Sequence, residues 1–149
     1  MAHADLADWI ETRKDNITAD WIEVVRQEPR IQSDADLSED GLRNHIPAVI
    51  AEMCDLLRSD EPPTVVNTRE ARVHAYVRFR QGYRARELVR ELSLLRFMLL
   101  DRIAERLSDG PQGLTIETYI SAARLIDLYI DEEMSYAVSV YAEAMKPPE

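Results

Sequence analysis

Apolar residues recur every three or four positions along most of the chain, which is the pattern of helices that bury one face. The first such stretch spans residues 5 to 28 and ends at Pro29. Ser38 is predicted to cap a second helix, because a serine hydroxyl accepts a hydrogen bond from the first turn. Pro47 interrupts that helix, so we expect a kink or restart around residues 44 to 46 and helix again to Arg58.

The second half of the chain predicts three further helices. The third spans about residues 68 to 81 and stops at Gly82. The fourth, about 84 to 107, has an apolar face made by Leu88, Leu92, Leu95, Leu99, Ile103 and Leu107. After the turn sequence SDGPQG, Thr115 begins a last helix of about 30 residues. Its apolar face includes Tyr119, Ile126, Ile130, Met134 and Tyr141.

These patterns predict an all-α protein. Only four glycines occur, and apolar residues rarely alternate with polar ones, so a many-stranded sheet is disfavoured. We expect a single helical domain over residues 1–146, packed like a globin without haem or like a four-helix bundle, with a long C-terminal helix. Residues 147–149 would be a linker or the end of an excised domain. A helix that outgrows its own domain typically packs against a second copy or connects to another domain.

The charge of the chain excludes some partners and leaves others open. The formal net charge of −10 argues against binding to nucleic acid or to an anionic membrane. Residues 69 to 106 nevertheless hold ten arginines against five acids. This excess is either a solvated face paired with acids elsewhere, or an anion pocket or docking face for an acidic partner. No apolar run is long enough to span a membrane, and Cys54 is the only cysteine, so we expect a cytoplasmic protein.

No catalytic motif is present, and we predict that the chain is not an enzyme. Glu70 and His74 share a helix face, but one such pair is too little for a metal site, so we expect His74 to bond Glu70 or the backbone. Haem held by His74 or His45 is the alternative, although arginines surround His74. The acidic run from 131 to 133 is expected to be solvated.

Three segments together resemble a known family: LRNHIPAVIAEM at 42–53, HAYVRFRQGYRARELVRELSLLR at 74–96, and LIDLYIDEEMSYAVSVY in the last helix. They are similar to the N-terminal domain of RsbT co-antagonist proteins, a domain also found at the front of sensor histidine kinases. The resemblance implies a globin-like fold without haem that dimerises and serves as a signal-input module in stress response or two-component signalling. It supplies no catalytic residue.

The sequence therefore predicts a sensor domain that forms homodimers and passes a signal through its last helix to a downstream kinase or regulatory domain. A ligand pocket would be lined by His74, Arg78, Tyr83 and Arg96, and no cofactor or metal is expected. The dimer and signal helix would use Tyr119, Ile126, Ile130, Met134 and Tyr141. The alternatives are a haem- or tetrapyrrole-binding globin-type sensor and a helical adaptor that binds another protein without any ligand.

Overall fold

The computed structural model describes residues 2–59, 66–108 and 112–145, and these residues are helical almost throughout. They form seven helices: α1 (His3–Glu11), α2 (Lys14–Gln27), α3 (Glu39–Arg43), α4 (Ile46–Arg58), α5 (Arg69–Arg80), α6 (Ala85–Ala104) and α7 (Ile116–Ala144). Within the described ranges the only β-type pairing is an isolated bridge between Leu107 and Leu114. The predictions of an all-α protein and of a long last helix are confirmed.

The first predicted helix is in fact two helices, because the helix is interrupted at Thr12 and Arg13. The Thr12 hydroxyl donates to the carbonyl oxygens of Asp8 and Trp9, both at 3.0 Å. Such a local bond gives the backbone an alternative to continuing the helix. α1 packs on α4, whereas α2 packs on both α6 and α4. The helical spacing of apolar residues continues across the interruption.

The predicted cap and restart before α4 are confirmed. Ser38 Oγ accepts a hydrogen bond from the Gly41 N–H at 3.0 Å. Asn44 then takes a left-handed backbone conformation with φ of 41°, which ends α3. Pro47 lies in the first turn of α4, where its missing N–H leaves no helix bond unmade.

The turn between α5 and α6 depends on Gly82, whose φ is 87°. The Tyr83 N–H donates to the Arg78 carbonyl at 3.1 Å and the Gly82 N–H donates to the Phe79 carbonyl at 3.2 Å. This pair of bonds is the Schellman arrangement that closes a helix at a left-handed residue. It confirms the predicted helix end and directs Tyr83 back into the core.

Replacing Gly82 with alanine is expected to lower the free energy of unfolding by about 1–2 kcal/mol, the usual cost of placing a Cβ in the left-handed region. A Cβ at this position meets no atom within 4 Å, so backbone strain is the whole cost. Urea unfolding followed by circular dichroism measures it. Gly82→Asn is the control and should lose less, because asparagine tolerates this conformation. Equal stability of the alanine variant and the parent would contradict this account of the turn.

The last two helices are the longest ones in the described part of the chain. α6 ends at Ala104, three residues earlier than predicted. Leu107 forms the bridge to Leu114 and is 37% exposed, so it does not belong to the buried face of α6. α7 has 29 residues, hence a length of about 44 Å. The Thr115 hydroxyl caps it by accepting from the Thr118 N–H at 3.2 Å.

α7 packs against α4, α5 and α6, and the buried side chains of all seven helices form one apolar core. No helix among the described residues is both long enough and apolar enough to cross a bilayer. Residues 60–65, between the second and third predicted helices, and residues 109–111 of the SDGPQG turn lie outside the described residues. The predicted boundary at 146 and the segment 147–149 also lie outside them. The choice between globin-like and bundle-like packing stays a prediction.

Candidate functional site: a polar cluster inside the helical core

A fully buried ion pair lies at the centre of the domain. We call His74, Arg78 and Glu91 the Glu91 network; all three are 0% exposed. Glu91 Oε1 accepts from Arg78 Nε at 2.8 Å and from His74 Nε2 at 2.9 Å. α5 supplies both donors at positions four apart, which share one helix face, and α6 supplies the acceptor.

A chain of hydrogen bonds leads from this network to the domain surface. Asn44 Nδ2 donates to His74 Nδ1 at 3.3 Å, and Asn44 Oδ1 accepts from His45 Nδ1 at 3.2 Å. With Nδ1 accepting and Nε2 donating to Glu91, His74 fits the neutral Nε2–H tautomer. The left-handed Asn44 between α3 and α4 thus connects the half-exposed His45 to the buried histidine.

The Arg78 guanidinium also ties α5 to the end of α3. It donates to the carbonyl oxygens of Gly41, at 3.0 Å, and of Leu42, and to Gln81 Oε1 at 2.7 Å. Arg78 Cζ lies 4.9 Å from the centroid of the Tyr83 ring. Every nitrogen of this buried guanidinium therefore has a partner, which a buried cation requires.

The network fixes the charge states of its members. Burial lowers the pKa of His74 and outweighs the hydrogen bond to Glu91, so the imidazole is neutral. Burial by itself would raise the pKa of Glu91, but the Arg78 charge and the His74 hydrogen bond hold that pKa below its usual value. Glu91 and Arg78 are consequently the ionised pair and His74 is a neutral donor.

A second buried carboxylate lies between α4, α5 and α7. Glu52 Oε1 accepts from the Tyr129 hydroxyl at 2.7 Å, and both Glu52 oxygens lie 3.1 Å from the Glu70 N–H in the first turn of α5. Glu52 thus caps α5 from α4, and Tyr129 brings α7 to the same carboxylate.

Glu133 of α7 is the unusual group of this interior. It is 0% exposed, and neither of its carboxyl oxygens has a hydrogen-bond partner among the described residues. Burial raises its pKa well above the usual value of 4.5, and the charges of Glu91 and Glu52 raise it further against the opposing effect of Arg78. The second oxygen of Glu91 and the Tyr83 hydroxyl are also buried without a hydrogen bond of good geometry. The prediction that residues 131 to 133 form a solvated run is wrong for Glu133.

The structure brings three of the four predicted pocket residues together. His74, Arg78 and Tyr83 meet around Glu91. Arg96 lies elsewhere, at the surface between α6 and α7, with its nitrogens 3.9 Å from Asp127 and 3.8 Å from Asp131. What the sequence analysis missed is the acceptor at the centre, Glu91.

The residues predicted for the dimer and signal helix divide between two environments. Ile126, Ile130 and Tyr141 are buried in the core of their own chain, whereas Tyr119 and Met134 are half-buried. The Tyr141 hydroxyl donates to the Tyr83 carbonyl at 2.6 Å, and its ring meets Phe79 edge-on at a centroid distance of 5.1 Å. These contacts attach the C-terminal part of α7 to the turn between α5 and α6.

The expected pairing of His74 with Glu70 is wrong, because His74 bonds Glu91 and Asn44. Glu70 instead lies 3.7 Å from Nε2 of His45. Both ring nitrogens of His74 are occupied, so a haem iron would have to displace Glu91 or Asn44 to reach it. In the described part of the chain no three His, Cys, Asp or Glu side chains converge in a way that could hold a metal ion.

The arrangement is suited to conformational coupling rather than to bond-making chemistry. Cys54, the one thiol, is buried, and burial raises its pKa to about 12, so it is a poor nucleophile. The polar groups instead join elements far apart in sequence. The Trp21 indole N–H, for example, donates to the Glu91 carbonyl at 3.2 Å and so ties α2 to α6.

Comparison with known proteins agrees with the resemblance seen in the sequence. The family described as the RsbT co-antagonist protein rsbRD N-terminal domain matches residues 15–146. No curated protein and no solved structure matches the chain. The matched region includes the Glu91 network, the buried acids Glu52 and Glu133, and all of α7. The chain therefore belongs to the RsbT co-antagonist rsbRD N-terminal domain family, whose members are sensor-like, non-catalytic input domains of stress signalling.

Proposed function

We propose that this domain is a cytoplasmic signal-input module that forms homodimers and passes a conformational signal through α7 to a downstream kinase or regulatory domain. The observation that carries the proposal is the double role of α7. One side of this helix contacts the polar interior, and apolar side chains are exposed near both of its ends. No cofactor is needed for this role.

The inner face of α7 contacts the buried polar groups of the domain. Tyr129, Glu133 and Tyr141 recur at multiples of four residues, which places them on one side of the helix. Through them α7 contacts the Glu52 carboxylate, the surroundings of Glu91 and the turn after α5. A stimulus that changes a charge or a bond in this interior would shift α7 between two packings that differ by a few kcal/mol.

The outer face of α7 offers a surface for a second copy. Ile116, Ile120, Val138 and Met145 are all exposed, by 63%, 45%, 56% and 80%. Ile120 and Val138 are 18 residues apart, which is five helical turns, so the two lie on one stripe of the helix, with the charged residues Arg124, Asp127 and Asp131 between them. A stripe that carries exposed apolar residues is typical of a helix that packs against another helix.

Replacing Val138 with aspartate is expected to weaken dimerisation at least tenfold, because the new charge would be buried in the interface without a partner. Sedimentation equilibrium measures the dissociation constant. Since Val138 is exposed in the single chain, the far-UV circular dichroism spectrum should show that the variant keeps the fold of the parent.

Ser139→Asp is the matched control, since it adds the same charge one residue further along, about 100° away from the stripe. It should dimerise like the parent. A parent protein that is monomeric throughout the concentration range would contradict the proposal and favour the adaptor function. A haem absorption band retained by the purified protein would favour the haem sensor instead.

A further inference from the structure

A groove lies away from the Glu91 network, between the segment that follows α2 and the first turns of α6. Its cavity volume is about 570 Å³. The polar and charged side chains that line it include Arg30, Ser33, Arg84, Arg86, Arg90 and Ser93. The volume is within the range of small-molecule sites in proteins.

The charge of this groove is opposite to that of the whole chain. Four guanidinium groups line it, in a protein whose formal net charge is −10. Arg30 and Arg90 share one carboxylate oxygen, Glu28 Oε1, at 2.7 and 3.6 Å. Arg84 and Arg86 are exposed and form no ion pair with any residue that the structure describes.

The one acid that lines the groove, Glu87, offsets only one of its four positive charges. Glu87 accepts hydrogen bonds from the N–H groups of Gln32, Ser33 and Arg84 at 2.8, 2.9 and 2.9 Å, and from the Ser33 hydroxyl at 2.6 Å. Although burial opposes ionisation, these bonds lower the pKa of Glu87 to about 2. Glu87 is therefore ionised, and its hydrogen bonds hold the segment before α3 against α6, so the two walls of the groove are fixed in place.

We infer that this groove binds a small anion that carries one or more phosphate groups. Guanidinium groups pair with phosphate oxygens through two parallel hydrogen bonds, and Arg84 and Arg86 are free to do so. The hydroxyl of Ser93 adds a neutral donor at the same surface. The acidic remainder of the chain repels polyanions, which favours a compact ligand over a nucleic acid.

Ligand binding here would act on the same helix as the Glu91 network. Glu87, at the base of the groove, and Glu91 are four residues apart on α6 and so lie on one face. An anion bound between Arg84, Arg86 and Arg90 would therefore contact the first two turns of α6, the helix that carries Glu91. The site is separate from the dimer surface proposed above, and its existence does not depend on that proposal.

Isothermal titration of the protein with inorganic pyrophosphate tests the inference at constant ionic strength. The expected result is saturable binding of one pyrophosphate per chain. The double variant Arg84→Gln/Arg86→Gln should weaken this binding at least tenfold. Both side chains are exposed and unpaired, so circular dichroism should show an unchanged fold.

Arg69→Gln/Arg124→Gln is the matched control, because it removes two exposed arginines at other positions and changes the net charge equally. It should bind pyrophosphate like the parent. Absence of saturable binding by the parent would overturn the inference. An equal loss in the two double variants would also overturn it, since binding would then follow net charge and not this groove.

Discussion

Replacing Glu91 with glutamine is expected to lower the free energy of unfolding by about 3–5 kcal/mol, the usual cost of removing one partner of a buried ion pair. The substitution keeps the shape of the side chain but leaves the Arg78 charge inside the core without its carboxylate. The His74 N–H loses a charged acceptor at the same time. Urea unfolding at neutral pH, followed by circular dichroism, measures the change.

Asp101→Asn on the same helix is the control, since it removes an exposed carboxylate and should change stability by less than about 0.5 kcal/mol. A double-mutant cycle with Arg78→Met measures the interaction energy between Glu91 and Arg78 separately from the contacts that each makes with other residues. The double variant should lose clearly less stability than the sum of the two single losses, because neither charge is then left alone. Additive losses would contradict the assignment of Glu91 and Arg78 as the ionised pair.

Replacing Glu133 with methionine is expected to raise the free energy of unfolding by about 1–3 kcal/mol at pH 7.5, since a buried carboxyl group without partners is removed. The gain should depend on pH. Because the folded-state pKa of Glu133 is raised, the contribution of this group to stability is fully present below about pH 4.5 and is lost as pH rises through that pKa. The methionine variant lacks this loss, so the difference between the two proteins should grow from pH 4.5 upward.

Urea unfolding of both proteins across this pH range tests the prediction. Glu132→Met is the matched control, since Glu132 precedes Glu133 on α7 but is exposed, and its substitution should give no pH-dependent gain. A Glu133→Met variant less stable than the parent at pH 7.5 would show that the carboxyl group has a favourable partner in solution. If the variant also lost dimerisation while remaining folded, Glu133 would be directly implicated in the signal path.

The helices were predictable from sequence because apolar periodicity reports which face of a segment is buried. Ser38, Pro47 and Gly82 mark helix ends through local backbone chemistry, and each acts where expected. The break at Thr12 was missed because it leaves the apolar period intact. The early end of α6 was missed because Leu107 continues the leucine spacing although the backbone has already left the helix.

The polar interior could be predicted only in part. Glu91 lies three residues after Leu88 and four before Leu95, and Glu133 lies three after Ile130 and four before Ala137, so both acids occupy buried faces of their helices. Their positions among apolar residues at helical spacing therefore indicated that both acids are buried. Their partners could not be predicted from the sequence, because His74 and Glu91 are 17 residues apart and meet only through the packing of α5 on α6. Spacing along one helix indicated Glu70 instead.

The long reach of the Glu91 network also has a consequence for the order of folding. Its bonds join Glu91 to Trp21 across 70 residues, and Arg78 to Gly41 across 37. Contacts between such distant segments form only after the intervening loops have closed. Until α2, α3, α5 and α6 have all docked, Arg78 and Glu91 remain hydrated and the core around them stays open to water. We therefore expect the network to form late in folding and to stabilise the native state mainly by slowing unfolding.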